Sequence, residues 1–503
     1  MSGVELETPF DNSLACELLW EYPIVNLGRN EIRHCCRTNG QALKAEDIQK
    51  HGIDIIKNSP VERENRARML LGEKISNCST CWAIEKNGVR SPRINLTLKH
   101  YLSPVVANNI RTQLNNLPSQ QDKIQYLSNH PITRGKVTNL LEISLSNTCD
   151  MQCTYCSHHY STKWASYRLK HGEITKADLP KPLPEYKKTF LDWFRLEGVH
   201  KTKYINFIGG EPSLTKDFYE VSSEMDQILR SSNIKYYVIL SVITNLNCTD
   251  AVFEKFINHL NKVSDNFYAI DLNVSIEAFG ARAEYIRYGL NWERWKKNFE
   301  RLVALKNAKF VISAQMATNL LSVTSLPELL KYFWSLFEKY GVVVQLHQNI
   351  ITDPPAHSPT LLTREFSKYF DESISFLTEK APYVDDTIDT DCRKWKKYAD
   401  FLETIKYSMI NHVLTHHEKN MIGQFFNKFN TRQRIDIYKI FPEYQSFFNA
   451  CGIYRMFEIK LFNNYPKIFK RYMKTKVSAW HVKRKLQTIR TAINTRLENQ
   501  HGL

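Results

Sequence analysis

Between residues 141 and 351 apolar, β-rich runs alternate with helical stretches, and this alternation restricts the fold more than any other feature of the chain. The expected strands are 141–146, 204–208, 236–244, 267–276, 310–317 and 342–349. Between the second and third, Phe218, Val221, Met225 and Ile228 recur at spacings of three and four, which marks one buried helical stripe. Similar stretches lie at 251–262, 291–307 and 326–340. Strands separated by helices pair in parallel through right-handed crossovers, so the expected fold is α/β with six βα units.

A chain of 503 residues exceeds one ordinary core. Four regions are expected: an irregular cysteine-containing module at 1–130, the βα region at 131–355, a helical region at 356–463 and a basic amphipathic tail at 464–503. Pro354, Pro355 and Pro359 mark the point where strand signals stop. The tail holds ten Lys or Arg against one acid, and Val482, Leu486, Ile489, Ile493 and Leu497 form one apolar stripe within it. Lys483, Arg484, Lys485, Arg490 and Arg496 surround that stripe. A helix of this kind docks on its domain, its charges either facing a polyanion or an anionic membrane surface or only solvating it. Elsewhere no apolar run approaches the roughly 20 residues of a membrane span, and the sequence MSGVELETPFDN lacks the features of a signal peptide. A cytoplasmic location is expected.

Eleven cysteines are too sparse here for a disulfide scaffold, and their grouping points to metal ligation. Cys149, Cys153 and Cys156 form C-x3-C-x2-C directly after the first strand of the repeat. Three thiolates on one tight loop hold three corners of a cubane and leave the fourth iron open to a reactant. Structural zinc takes four ligands, and only His158 and His159 stand close enough in sequence to be considered as additional donors.

This loop, LSNTCDMQCTYCSHHYSTKW, resembles that of the radical S-adenosylmethionine superfamily. The resemblance implies a partial (βα)6 barrel, a [4Fe-4S] cluster and S-adenosylmethionine cleaved reductively to a 5′-deoxyadenosyl radical that abstracts hydrogen from a substrate. It also implies an electron donor such as flavodoxin or ferredoxin. Tyr155 occupies the position where an aromatic residue is usual, and Trp164 closes an S-T-K-W run similar to that of one subgroup. Gly209, Gly210, Glu211 and Pro212, after the second strand, match the motif that binds the methionyl amino group. Thr244-Asn245 resembles T-N-G with Leu246 in place of glycine, and Ser275 and Glu277 resemble the S-I-D-G strand end. Ser275 is the candidate ribose contact, Arg287 the candidate for the carboxylate, and Asn319 ends the fifth strand.

Upstream, the order C-x-L-x-W at Cys16, the pair Cys35-Cys36, and C-x2-C at Cys78 and Cys81 look like the module of enzymes grouped with the SPASM and twitch families. That resemblance implies a second iron-sulfur cluster held by Cys78 and Cys81, with one of Cys35 or Cys36 and with Cys16; Leu19 stands where a proline is usual. By itself the C-x2-C pair also suits zinc. Cys248, Cys392 and Cys451 read as isolated packing thiols, and His412, His416 and His417 as a helix surface. The leading function is radical modification of a peptide or protein, by analogy with auxiliary-cluster relatives. The alternatives are the same chemistry on a nucleic acid, nucleotide or sugar, and a non-catalytic metal-binding protein.

Overall fold

The computed structural model describes residues 15–21, 24–35, 38, 40–42, 44, 46, 49–50, 58–86, 91–95, 104–135, 140–179, 184–232, 238–389, 393–464 and 473. Cys36, Cys392, the apolar stripe of the tail and the first two residues of the expected third strand lie outside them. The chain divides into two compact units, Met1–Val413 and Leu414–Leu503.

The first unit is built on strands β1 (Ile24–Asn26), β2 (Glu31–Arg33), β3 (Gln41–Ala42), β4 (Leu140–Ser144), β5 (Gln152–Cys153), β6 (Tyr204–Ile208), β7 (Ile239–Thr244), β8 (Ala269–Ser275), β9 (Arg287–Tyr288), β10 (Phe310–Thr318) and β11 (Gln345–Ile350). Among the described residues, nine of them form one sheet in the order β11-β10-β8-β7-β6-β4-β1-β2-β3. Every pair from β11 to β1 is parallel, and β2 and β3 add antiparallel at the edge. β5 and β9 make a separate antiparallel pair. The six expected strands are β4, β6, β7, β8, β10 and β11, and they are parallel. β1 to β3 were not expected, because strands of two or three residues carry no readable period.

The helices used below are α1 (Pro60–Leu70), α2 (Ser79–Lys86), α3 (Thr162–Lys170), α4 (Lys216–Ser231), α5 (Asp250–Val263), α6 (Trp292–Ala304), α7 (Leu326–Tyr340), α8 (Ser367–Val384), α9 (Trp395–Asn411) and α10 (His416–Gln433). α4 buries the expected stripe, and its Phe218 meets Phe207 of β6 edge-on at 5.3 Å. Register therefore assigns Ile205, Phe207, Leu240, Val242, Ile270 and Leu272 to the face packed under helices. The other face carries Glu142, Asn206, Ser241, Asp271, Asn273 and Ser313. Parallel sheets covered on both sides are normally apolar on both. Here one face is polar and still buried.

Two buried arginines tie distant segments to this frame. Arg66 of α1 donates from Nε to Leu19 O at 2.9 Å and from Nη1 to Thr133 O at 2.8 Å, joining the first described residues to the approach of β4. Arg393, just before α9, donates from Nη1 and Nη2 to the two carboxylate oxygens of Asp271 at 2.8 and 2.7 Å. Tyr204 donates to the same carboxylate. In the second unit, α10 begins with Thr415 and Glu418 capping each other's backbone N–H groups, and Ile422, Phe426 and Phe429 turn inward.

Burial alone would raise the Asp271 pKa, but the Arg393 guanidinium outweighs it and holds the carboxyl below its usual range. The pair then stabilises the fold above the unfolded carboxyl pKa of about 4, and the contribution is lost as pH falls through the lower folded value. Urea denaturation at neutral pH should show Arg393→Ala losing about 3–5 kcal/mol, because the substitution strands a buried carboxylate. Asp271→Asn should make the remaining stability less sensitive to acid.

Candidate active site

The loop after β4 is fastened from three sides. Thr162, at the start of α3, accepts from Cys149 N at 3.2 Å and donates to Cys149 O at 2.9 Å. Trp164 donates from its indole to Cys153 O at 3.0 Å, and Ser161 donates to Met151 O at 2.5 Å. On the far side Cys153 pairs with Arg287 in the β5–β9 ladder, and Thr154 N donates to Ile286 O at 2.8 Å. Cys149, Cys153 and Cys156 are free thiols within electrostatic reach of one another. Burial pushes all three up, Cys153 to about 12 against the opposing pull of Arg287. Desolvated thiols on one fixed loop suit a cationic metal cluster, which holds such groups as thiolates.

The third side is the loop after β6, where Gly209 and Gly210 have φ of +77° and +58°. A Cβ at Gly210 would lie 2.5 Å from Thr148 O, and one at Gly209 would lie 2.2 Å from Ser144 Oγ. The glycines thus let this loop lie against the cysteine loop, and Glu211 N donates to Thr148 O at 2.6 Å. The Glu211 side chain turns inward. Its Oε1 accepts from Thr244 Oγ1 at 2.7 Å and from Ser213 N at 3.1 Å, and its Oε2 accepts from Asn245 N at 2.5 Å. A carboxylate has about four acceptor sites, so one remains for an ammonium donor. Burial raises the Glu211 pKa despite these bonds, which favours a cationic partner.

Asn245 donates to Asp150 Oδ1 at 3.2 Å and approaches Cys149 Sγ at 3.9 Å. Leu246 has φ of +54°, which explains why glycine would be natural there; its side chain is nevertheless buried. Arg287 donates from Nε and Nη2 to Glu277 Oε2 at 2.9 and 2.6 Å, and Tyr155 donates to Glu277 Oε1 at 3.1 Å. Two of the five guanidinium donors are used, leaving a second edge able to meet a carboxylate. Pro212 begins the turn that aims Glu211, and Ser275 ends β8 on the polar face. Asn319 is spent locally, accepting from Leu321 N and Ser322 N.

Asp150, Asn247 and Gly289 belong to this constellation and were not singled out in the sequence. Asn247 donates to Asp150 Oδ2 at 3.4 Å and to Gly289 O at 3.0 Å. The signal available was the N-L-N run after β7 and a glycine two residues beyond Arg287.

Cys16, Cys78 and Cys81 are buried, and Cys78 lies within electrostatic reach of Cys16, Cys35 and Cys81. Burial drives the Cys78 thiol upward and the Cys16 thiol to about 11. Cys78 directly precedes α2, whose Trp82 donates to Ile75 O at 2.9 Å and carries Arg93 over its ring at 4.5 Å. Among the described residues no three His, Cys, Asp or Glu side chains form a ready-made site for a single metal ion, so the two cysteine sets are grouped by their loops and mutual electrostatics. Cys248 and Cys451 are buried outside both sets, and His158 packs against His159 at 3.9 Å while facing Arg168.

Residues 143–314 match the family model described as the Radical SAM superfamily. Over those residues the chain therefore carries a radical SAM domain, which supports an enzyme whose reaction is unknown. No curated protein matches it. Among solved structures it is similar to SuiB of Streptococcus suis bound to precursor peptide SuiA, at 11% identity over 73% of this chain and 70% of that one, with a TM-score of 0.32. SuiB bound to S-adenosylmethionine is similar at 11% identity over 70% and 68%, TM-score 0.32, and a further crystal structure of SuiB at 12% over 73% and 74%, TM-score 0.31. No described helix is long and apolar enough to cross a membrane.

Gly210→Ala should destabilise the protein by about 1–3 kcal/mol through collision and forced φ together. Gly172→Ala has the same φ problem, at +65°, but an open surrounding. Thermal unfolding should show the larger drop for Gly210→Ala, and equal drops would contradict the close approach of the two loops.

Proposed function

We propose that this chain is a radical S-adenosylmethionine enzyme that abstracts hydrogen from a peptide or protein. The observation that carries the reading is the convergence of Cys149, Cys153 and Cys156 with Glu211 and Arg287, joined through Thr148 and the β5–β9 ladder. When bound, a [4Fe-4S] cluster would, together with S-adenosylmethionine, supply the 5′-deoxyadenosyl radical chemistry of hydrogen abstraction.

The chain's own residues then have separate tasks. Cys149, Cys153 and Cys156 would hold the cluster. Glu211 offers its remaining acceptor to the methionyl ammonium, and Arg287 offers its remaining donors to the carboxylate. Glu277 and Tyr155 fix the guanidinium in place, Asn245 steadies the cysteine loop through Asp150, and Ser275 stands for the ribose. Gly209, Gly210 and Pro212 set the loop that carries Glu211. Burial of Glu211, Glu277 and Arg287 strengthens these contacts by excluding water.

The six parallel units fit a partial (βα)6 barrel with this site at the carboxyl ends of the strands. Cys78 and Cys81, with one of Cys35 or Cys36 and with Cys16, would hold a second iron-sulfur cluster; Cys36 lies outside the described residues. A peptide or protein substrate follows from that second site, since relatives with auxiliary clusters often act on such chains. A flavodoxin or ferredoxin supplies the electron.

Replacing Cys149, Cys153 and Cys156 together with alanine should abolish 5′-deoxyadenosine formation from S-adenosylmethionine under anaerobic reduction while the circular dichroism stays native. Undiminished product would sink the reading. Replacing Cys78 and Cys81 should lower iron from about eight to about four per chain if both clusters are cubanes. Unchanged iron with stoichiometric zinc in the parent would favour a structural zinc site.

A further inference from the structure

Two rows of side chains on the polar face remain unexplained once the cofactor site is built. Parallel pairing sets Asn273 of β8 beside Ser313 of β10, and Ser313 beside Gln345 of β11. Two residues further along, it sets Ser275 beside Gln315 and Gln315 beside His347. Strand spacing and rise make this a tile of about 10 by 7 Å. None of the six side chains is charged, because burial together with Arg393 pushes the His347 pKa down to about 3.

Three polar atoms of the tile are buried with no hydrogen-bond partner among the described residues: Asn273 Oδ1, Gln345 Oε1 and His347 Nε2. Asn273 is oriented by its own amide, which donates to Ser241 Oγ at 2.8 Å. Below the tile, Arg393 and Asp271 neutralise each other, and Arg393 also donates from Nη1 to Ser313 Oγ at 3.2 Å. Arg393 Nε is likewise without a partner among the described residues. A buried polar atom left unsatisfied costs about 1–3 kcal/mol, so several on one surface call for a ligand's polar atoms. An apolar group would leave them stranded. A charged group would be desolvated opposite no counter-ion, at several kcal/mol.

We propose that this tile binds the part of the substrate presented for hydrogen abstraction, and that this part is an uncharged amide or hydroxyl side chain of a peptide. The proposal rests on the peptide reading above and names the side-chain class. Ser275 belongs both to the tile and to the cofactor site, so the two abut. A phosphate or carboxylate finds no available cation among the six side chains.

The test uses the full chain with its clusters, without S-adenosylmethionine or reductant, so its outcome is independent of cleavage. Saturation-transfer NMR is recorded with the Nα-acetyl amides of glutamine, serine, glutamate and lysine, and with glucose. The glutamine or serine probe should bind, and the glutamate and lysine probes should bind at least about tenfold more weakly. The near-isosteric double variant Gln345→Met with His347→Leu should weaken the neutral probe by at least about tenfold. Gln345→Glu should move the preference toward the lysine probe, which a merely unfolded variant would not do. The proposal is overturned if neither neutral peptide probe binds, if glucose alone binds, if a charged probe binds equally well, or if Gln345→Glu leaves the preference unchanged. Loss of 5′-deoxyadenosine formation, measured separately, would instead defeat the radical reading.

Discussion

The cysteine loop after β4 has its position imposed by its neighbours, and the rest of the site depends on that constraint. Thr148 is fixed by the Glu211 backbone, Cys153 by Trp164 and the Arg287 strand, and Thr154 by Ile286. The approach at Gly210 leaves no room for a β-carbon. Residues as much as 132 positions apart in sequence are thereby held as one surface. Fixed thiols are useful only beside fixed charges, and the same contacts place Glu211 and Arg287.

Those charges are buried and each has a role for its burial. Glu277 accepts from Arg287 and Tyr155, so the guanidinium keeps one edge occupied and one edge oriented. Glu211 is held by one hydroxyl and two backbone N–H groups, none of them charged, and so keeps its need for a cation. Preorganised groups of this kind need no rearrangement when their partner arrives, which is where their advantage over water lies. Farther down the same sheet, Asp271 and Arg393 cancel each other and leave a face of neutral polar groups.

The βα alternation was legible because each strand of the parallel repeat is five residues or longer and each intervening helix repeats its apolar positions over several turns. β1 was not, since the three residues Ile24, Val25 and Asn26 are all buried and show no alternation. The C-x3-C-x2-C and GGEP motifs were legible as motifs, but not the reason for the glycines, which lies in the close approach of Gly209 to Ser144 and of Gly210 to Thr148, both far away in sequence. The tile was half legible. Asp271, Asn273 and Ser275 alternate with apolar residues, as do Gln345 and His347 with Leu346, yet which strands lie side by side is a property of the sheet order alone.

The central claim is that an open iron held by Cys149, Cys153 and Cys156 takes the amino acid end of S-adenosylmethionine between Glu211 and Arg287. Electron-nuclear double resonance on the reduced, reconstituted protein tests it most directly, with heavy nitrogen in the methionyl amino group and heavy oxygen in the carboxylate. The account predicts that both labels couple to the cluster spin in the native protein, and that the couplings weaken when Glu211 is replaced by Gln or Arg287 by Met. An intact reduced cluster showing no coupling to either label would contradict it.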